Sequence, residues 1–240
     1  MSKHLHRDME LLKKEILSMG ALVWEAINGA MIALGDRRPD LAQRVLMSDD
    51  AINAKEISIE EECLKILALH QPVAADLRFV VTILKVNNDL ERMGDLAANL
   101  AERVVYLSSH EPIDVPLDFD RMVSRVHEMV RRSLDALVEQ NTTVAREILA
   151  MDDEVDDALR DMYVILQELM QRDPDAVVRA VHTLSVSRHL ERIADLATNI
   201  AEDIVFMVDG EVIRHQHEGL PAADTMPADA IPSISGRTAP

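Results

Sequence analysis

The sequence predicts an all-α fold of two tandem three-helix bundles, and three observations carry that expectation. Aromatic residues make up only 2% of the 240-residue chain and glycines number seven, while Leu, Ile, Val, Ala and Met dominate, a composition that favours helices over sheets. Apolar residues recur at alternating spacings of three and four, the seam of a helix packed in a bundle. The whole plan then starts again after a linker, with its most acidic stretch returning 100 residues later.

The first helix is carried by Leu5, Met9, Leu12, Ile16, Met19, Val23, Ala26 and Ala30, and Gly35 with Pro39 stops it. The second runs from about Pro39 to Leu69, with Val45, Ile52, Ile59 and Ile66 at heptad spacing, and "HQP" at residues 70–72 breaks it. A third resumes near Ala74 with Ile83, Val86, Leu90, Met93, Ala97, Leu100, Val104 and Leu107 as its seam. Long neighbours joined by short turns make an antiparallel bundle. "SSHEPIDVPLDFD", residues 108–120, is the first real linker. Beyond it, Val186, Leu190, Ile193, Ala197, Ile200, Ile204 and Met207 repeat the third seam, and "MSDDAIN" at residues 47–53 is echoed by "MDDEVDD" at 151–157. The organisation is therefore a first repeat over 1–110, a second over 111–215, and a tail over 216–240 whose Pro, Ala, Ser and Asp content predicts disorder.

Charge and cysteine usage narrow the function. A formal charge of −18 argues against nucleic acid and against direct binding to an anionic membrane, because both need clustered Lys and Arg. The lone Cys63 makes no internal disulfide and reads as a small core filler in a reducing compartment. The N-terminal stretch "MSKHLHRDMELLKK" has no apolar signal region, and no uncharged run reaches the roughly 18 residues of a membrane span, so a cytoplasmic location is expected.

The residues that ask for an explanation are in "LERMGDLAANLAE", 90–102. At about 100° per residue, Glu91, Asp95, Asn99 and Glu102 fall on one stripe, joined by Asn88, and it should face outward. Like charges at i, i+4 are mildly unfavourable, so the stripe needs salt-bridge partners, plain solvation or a bound cation. In "RHLERIADLATNIAE", 188–202, it returns as Glu191, Asp195, Asn199 and Glu202, while Asn88, Asp89 and Arg103 have become Arg188, His189 and Asp203. The stripe outlasts its neighbours in the duplication. Small residues, Gly94, Ala98 and Ala101 and their counterparts Ala194, Thr198 and Ala201, keep its surroundings low. Oxygen-only ligands of this kind suit hard or borderline cations such as Mg²⁺, Mn²⁺ or iron.

Other chemistry-bearing groups give weaker signals. None of the nine histidines stands three residues after a glutamate, so the Glu-x-x-His signature of di-iron bundles is missing. His182 and His189 flank the apolar seam, where packing or a satisfied hydrogen bond explains them, and His215 and His217 suit the end of a helix. "DDEVDD" at 152–157 reads as a solvated turn or as a secondary metal or partner surface. The sequence has no Gly-rich phosphate loop, nucleophile elbow or catalytic Cys-His pairing.

"LKVNNDLERMGDLAANLAE", its second copy, "HQPVAADLR" at 70–78 and the paired "DD" segments together resemble the PhoU family of phosphate-signalling regulators, over roughly residues 4–215. The resemblance implies two similar three-helix bundles side by side about a pseudo-twofold axis, in a six-helix fold. It implies surface clusters of transition metal ions (iron, zinc or manganese, with Mg as a further candidate) at E(D)-x-x-x-D motifs, here Glu91 with Asp95 and Glu191 with Asp195. A second acidic motif on the first helix of each bundle has its nearest matches in "EAING", residues 25–29, and "RRSLD", residues 131–135, which makes Asp135 a further candidate ligand although Gly29 and Arg131 depart from the pattern. The implied partners are the phosphate ABC transporter ATPase and a sensor histidine kinase, with a homodimer expected and the membrane reached only through those partners. The expected function is a non-enzymatic negative regulator of phosphate uptake and of the phosphate-starvation response. The alternatives are a metal-dependent phosphate or polyphosphate hydrolase on the same stripes, or a helical scaffold whose acids only confer solubility.

Overall fold

The structure, a computed structural model, describes residues 3–213; the tail expected over 216–240, with His215 and His217, lies outside the described residues. Among those described, the elements are all helical: α1 (Lys3–Gly35), α2 (Pro39–His70), α3 (Ala74–Ser108), α4 (Phe119–Glu139), α5 (Thr142–Leu149), α6 (Asp152–Arg172), a single 3-10 turn (Pro174–Ala176) and α7 (Val177–Asp209). The breaks follow local chemistry. Pro39 stands at the first position of α2, where its missing N–H costs no hydrogen bond. Gln71, at φ 46°, closes α2 in the left-handed conformation just before Pro72. The Asp118 carboxylate caps α4 by accepting from the Arg121 N–H at 3.2 Å. Asn141 caps α5 through Oδ1, which accepts from the N–H groups of Thr143 and Val144.

The duplication is visible in the core. Ala42, Val45, Ile52, Ile59, Cys63 and Ile66 of α2 correspond to Ala145, Ile148, Val155, Met162, Leu166 and Leu169 of α5 and α6, and all twelve are buried. The counterpart of α2 is thus one helix interrupted at Ala150 and Met151. Restarting it puts Asp152, Asp153 and Glu154 in the first turn of α6, where the positive end of the helix dipole favours acids. Met19, Val23, Ile27 and Ala30 of α1 correspond in the same way to Met122, Val126, Val130 and Ser133 of α4. These pairs stand 103 residues apart, whereas the α3 and α7 seams stand 100 apart. The one-residue slip relative to the "MSDDAIN" and "MDDEVDD" echo matters: Asp49 is the counterpart of Asp152, and Asn53 of Asp156.

The two bundles share one main core, and a small separate cluster of Leu166, Leu169, Ala176 and Ala180 lies where the end of α6 meets the start of α7. The bundles meet along α3 and α7, which run antiparallel: Arg78 reaches the Met207 carbonyl, Lys85 pairs with Asp203 at 3.0 Å, and Tyr106 stacks on His182 at the other end. By length and composition α1 could cross a membrane, with a mean hydropathy of 1.5 over its most apolar window, but half of that window is buried. Leu12, Ile16, Met19, Val23 and Ala30 account for this apolarity as core side chains.

Candidate functional site

Each bundle brings one acidic cluster together where its second helix crosses its third. In the first bundle the crossing is close because Gly94 has no side chain: a Cβ there would lie 3.0 Å from two atoms of Ile52. That approach sets Asp49 and Asn53 of α2 beside Glu91 and Asp95 of α3. Burial raises the pKa of Glu91, and the charges of Asp95, Glu56 and Asp49 raise it further. Asp95 is raised by burial and then by Asp49. The Asn53 amide donates to one oxygen of Asp49 at 3.2 Å, yet Asp49 Oδ1 and Asn53 Oδ1 are buried without a hydrogen-bond partner.

The second cluster is richer in charge. Asp152 and Asp156 of α6 face Glu191 and Asp195 of α7, four carboxylates where the first bundle has three and an amide. Burial, followed by the charges of Asp195 and Asp156, pushes Asp152 up to about 7. The same causes push Glu191 up to about 7, and Asp195 and Asp156 are raised as well, each chiefly by burial. Asp152 Oδ1 is buried with no partner. Crowded carboxylates with unsatisfied buried oxygens are under-neutralised, and a cation is the simplest group that would satisfy them. The donors that meet are oxygens, which suit hard and borderline cations. Among the described residues, no three carboxylate, histidine or cysteine groups are already drawn together tightly enough to hold one ion. Binding would therefore draw the side chains inward.

The expected stripe divides between two settings. Glu91 and Glu191 are half-buried under the second helices, not fully outward-facing. Asp95 and Asp195 belong to the clusters and, with Asn99 and Asn199, also line a polar groove of about 370 Å³ between α3 and α7, with Arg92 and Arg192 beside them, on the pseudo-twofold axis. Glu102 is exposed at 3.9 Å from Arg103, and Glu202 is half-buried. Asp135 is not brought to either cluster. It pairs loosely with Arg131 at 3.9 Å and lines a groove with Gly20, Trp24 and Leu134 between α1 and α4. The register of 103 explains why: the counterparts of Glu25 and Gly29 are Glu128 and Arg132, not Arg131 and Asp135. Gly29 leaves a cavity of about 310 Å³ beside Glu25, Arg44 and Ser48. In the second bundle the Arg132 guanidinium occupies the equivalent position, reaching Glu147, Glu128 and the Met151 sulfur.

The α2 and α6 ligand candidates, Asp49, Asn53, Asp152 and Asp156, are what reasoning from the third-helix stripe left out. Their signal was present in the paired "DD" segments. Of the two expectations for the seam histidines, packing or a satisfied hydrogen bond, His182 meets the first by stacking on Tyr106, while His182 Nδ1 and both ring nitrogens of His189 are buried without hydrogen-bond partners. Cys63 is a core filler as expected, and burial pushes its thiol up to about 12.

Fold and site together define an internally duplicated helical-bundle protein with one acidic cluster per repeat. The PhoU domain model matches residues 16–104 and again 119–204, so the chain belongs to the PhoU family. It is similar to the phosphate-specific transport system accessory protein PhoU homolog of Aquifex aeolicus, at 38% identity over 213 residues, which covers 89% of this chain and 96% of the relative. The Pseudomonas aeruginosa homolog of the same name is 38% identical over 218 residues, covering 89% of each. Among solved structures, PhoU from Pseudomonas aeruginosa matches with a TM-score of 0.83 at 36% identity, over 86% of this chain and 99% of that one. The phosphate transport system regulatory protein PhoU from Streptococcus pneumoniae matches with a TM-score of 0.78 at 30% identity, over 87% and 98%.

Proposed function

We propose that this chain is an accessory protein of phosphate transport that regulates without catalysing a reaction. It contacts the phosphate ABC transporter ATPase and a sensor histidine kinase at the membrane, and it holds the phosphate-starvation response off when phosphate is plentiful. The observation that carries this reading is a duplicated acidic cluster on a PhoU-family fold, supported by relatives named as accessory and regulatory proteins of phosphate transport. The outer faces of the second helices offer contact surface in exposed Met47, Ile57 and Leu64 on α2 and Tyr163 and Val164 on α6. In this reading Asp49, Asn53, Glu91 and Asp95, and Asp152, Asp156, Glu191 and Asp195, hold iron, zinc, manganese or magnesium. The cation supplies positive charge that neutralises the crowded carboxylates. The chain's own residues position it and present the acidic faces, a homodimer completes the assembly, and the location is cytoplasmic with the membrane reached through partners. The test is affinity purification of tagged protein from phosphate-replete membranes at low ionic strength. The transporter ATPase or the kinase should be recovered, and recovery of neither from membranes that contain both would refute the reading.

A further inference from the structure

The duplication allows the packing of α1 on α2 to be compared, position by position, with that of α4 on α5 and α6. At the register of 103, the second bundle carries Met129, Arg132 and Met151 where the first carries Ala26, Gly29 and Ser48. Three large side chains stand against three small ones, and the difference in volume is the cavity of about 310 Å³ in the first bundle. Its lining has a floor and a rim. Ala26, Val45 and Ile52 are buried beneath it, and Leu22 and Leu41 are half-buried at its sides. Glu25 of α1 and Arg44 of α2 are exposed at the rim.

In the second bundle the equivalent position holds Arg132, whose guanidinium reaches Glu147, Glu128 at 3.8 Å and the Met151 sulfur at 3.5 Å. Glu25 is the counterpart of Glu128, but with no arginine at position 29 its carboxylate makes no hydrogen bond or ion pair with any described residue. Arg44 replaces Glu147 and is drawn off to Asp40 on its own helix, at 3.7 Å. The Ser48 hydroxyl donates to the Val45 carbonyl at 2.7 Å and leaves the cavity to its apolar floor. The first bundle therefore keeps the cavity and one of its two acids, and lacks the guanidinium. An apolar floor with a carboxylate at the rim suits a side chain with an aliphatic stem and a cationic end.

We propose that this cavity is a socket for an arginine side chain presented by a partner protein, which supplies from outside what Arg132 supplies within the second bundle. The stem covers Ala26, Val45 and Ile52, and the guanidinium meets Glu25. A chain of net charge −18 favours encounter with a basic partner, and arginine is the cationic residue most often found at the centre of protein contacts. Arg44, in the place of Glu147, makes the socket weaker than its internal counterpart, so the contact forms and releases where the contacts of Arg132 are permanent. The proposal goes beyond the regulatory reading and holds whichever protein presents the arginine.

The probe is a blocked pentapeptide with one arginine between two alanines on each side, titrated into the full chain at constant ionic strength and followed by the amide resonances of Gly29 and Ser48. It should move both resonances saturably, and the same peptide with norleucine in place of arginine should bind about tenfold more weakly or worse. Glu25→Gln should cost about tenfold, and Arg44→Glu, which restores the acid that Glu147 provides, should tighten binding by about the same factor. Gly29→Arg with Ser48→Met fills the cavity with the second bundle's own residues and should abolish binding. A Cβ at position 29 would lie 3.0 Å from Val45, so should that variant fail to fold, Ser48→Met alone should weaken binding. Resonances that do not saturate, equal binding of the norleucine peptide, no gain from Arg44→Glu, or binding of free arginine without binding of the peptide would overturn the proposal. No transporter, kinase or metal enters the measurement, so failure of the socket is distinguishable from failure of the regulatory reading.

Discussion

Replacing Asp152 by Asn isolates the electrostatic strain of the second acidic cluster. In the unfolded chain this carboxyl ionises near 3.8, and in the folded protein burial and its neighbours push it up to about 7. Below the unfolded value both states hold the proton and the group costs nothing. Between the two values the unfolded chain releases its proton while the folded protein keeps it, so stability falls as pH rises, and above about 7 the loss is complete. At about 1.4 kcal/mol per pH unit the interval amounts to roughly 4 kcal/mol. Asp152 retains contact with water and shares its repulsion with Glu191 and Asp195, so a screened value of about 2 kcal/mol is the working figure. Asp152→Asn keeps the shape and removes the charge. In the presence of a chelator it should raise the melting temperature by about 4–8 °C near pH 8 and by almost nothing near pH 4. Manganese should narrow that difference, because the wild-type cluster gains more from a cation than the variant does. The reasoning is refuted if the variant is no more stable than wild type near pH 8, or if its advantage is the same at both pH values.

The close helix crossing of the first bundle gives a second expectation. Gly94→Ala should destabilise by about 1–3 kcal/mol through overpacking on Ile52, and Ile52→Val should recover most of the loss, because the second bundle already carries Ala194 and Val155 at these positions; urea unfolding of the double variant reads this, and strictly additive losses would count against it. Glu91→Ala with Asp95→Ala, measured by elemental analysis of protein purified without chelator, should lower the metal content by one site's worth while the Glu191 and Asp195 cluster keeps its own. Equal content in wild type and in a protein lacking all four carboxylates would leave only a solvated acidic face. Complex formation with a basic partner should weaken steeply between low and physiological salt, as binding kinetics at two ionic strengths would record, since a charge of −18 steers encounter mainly at low screening.

The duplicated seams were legible because apolar periodicity is a local property, and Val86 with Val186 or Leu90 with Leu190 need no tertiary information. The acidic motif was legible for the same reason, as a repeated spacing along one helix. What the chain did not reveal locally is which residues of another helix complete it. Asp49 and Asp152 join Glu91 and Glu191 through the crossing of two helices, and the register of that crossing slips by three residues between α1–α2 and α3. Asp135 was matched to Gly29 at an offset of 106 residues, whereas the α1 and α4 seams keep 103, so that the place of Gly29 in the second bundle is taken by Arg132. The interruption between α5 and α6 was invisible to periodicity because both pieces keep the same apolar face. The buried, unpartnered nitrogens of His189 depend on α3 lying against α7, a contact between residues nearly a hundred positions apart.

The central claim is regulation of the phosphate-starvation response by this chain, and the most direct measurement is expression of a phosphate-starvation reporter in high phosphate. The strain should lack the chromosomal copy and any paralogue, and should carry either the intact chain or none. The account predicts high reporter expression without the chain and restored repression with it. Equal, low expression in both strains would contradict it.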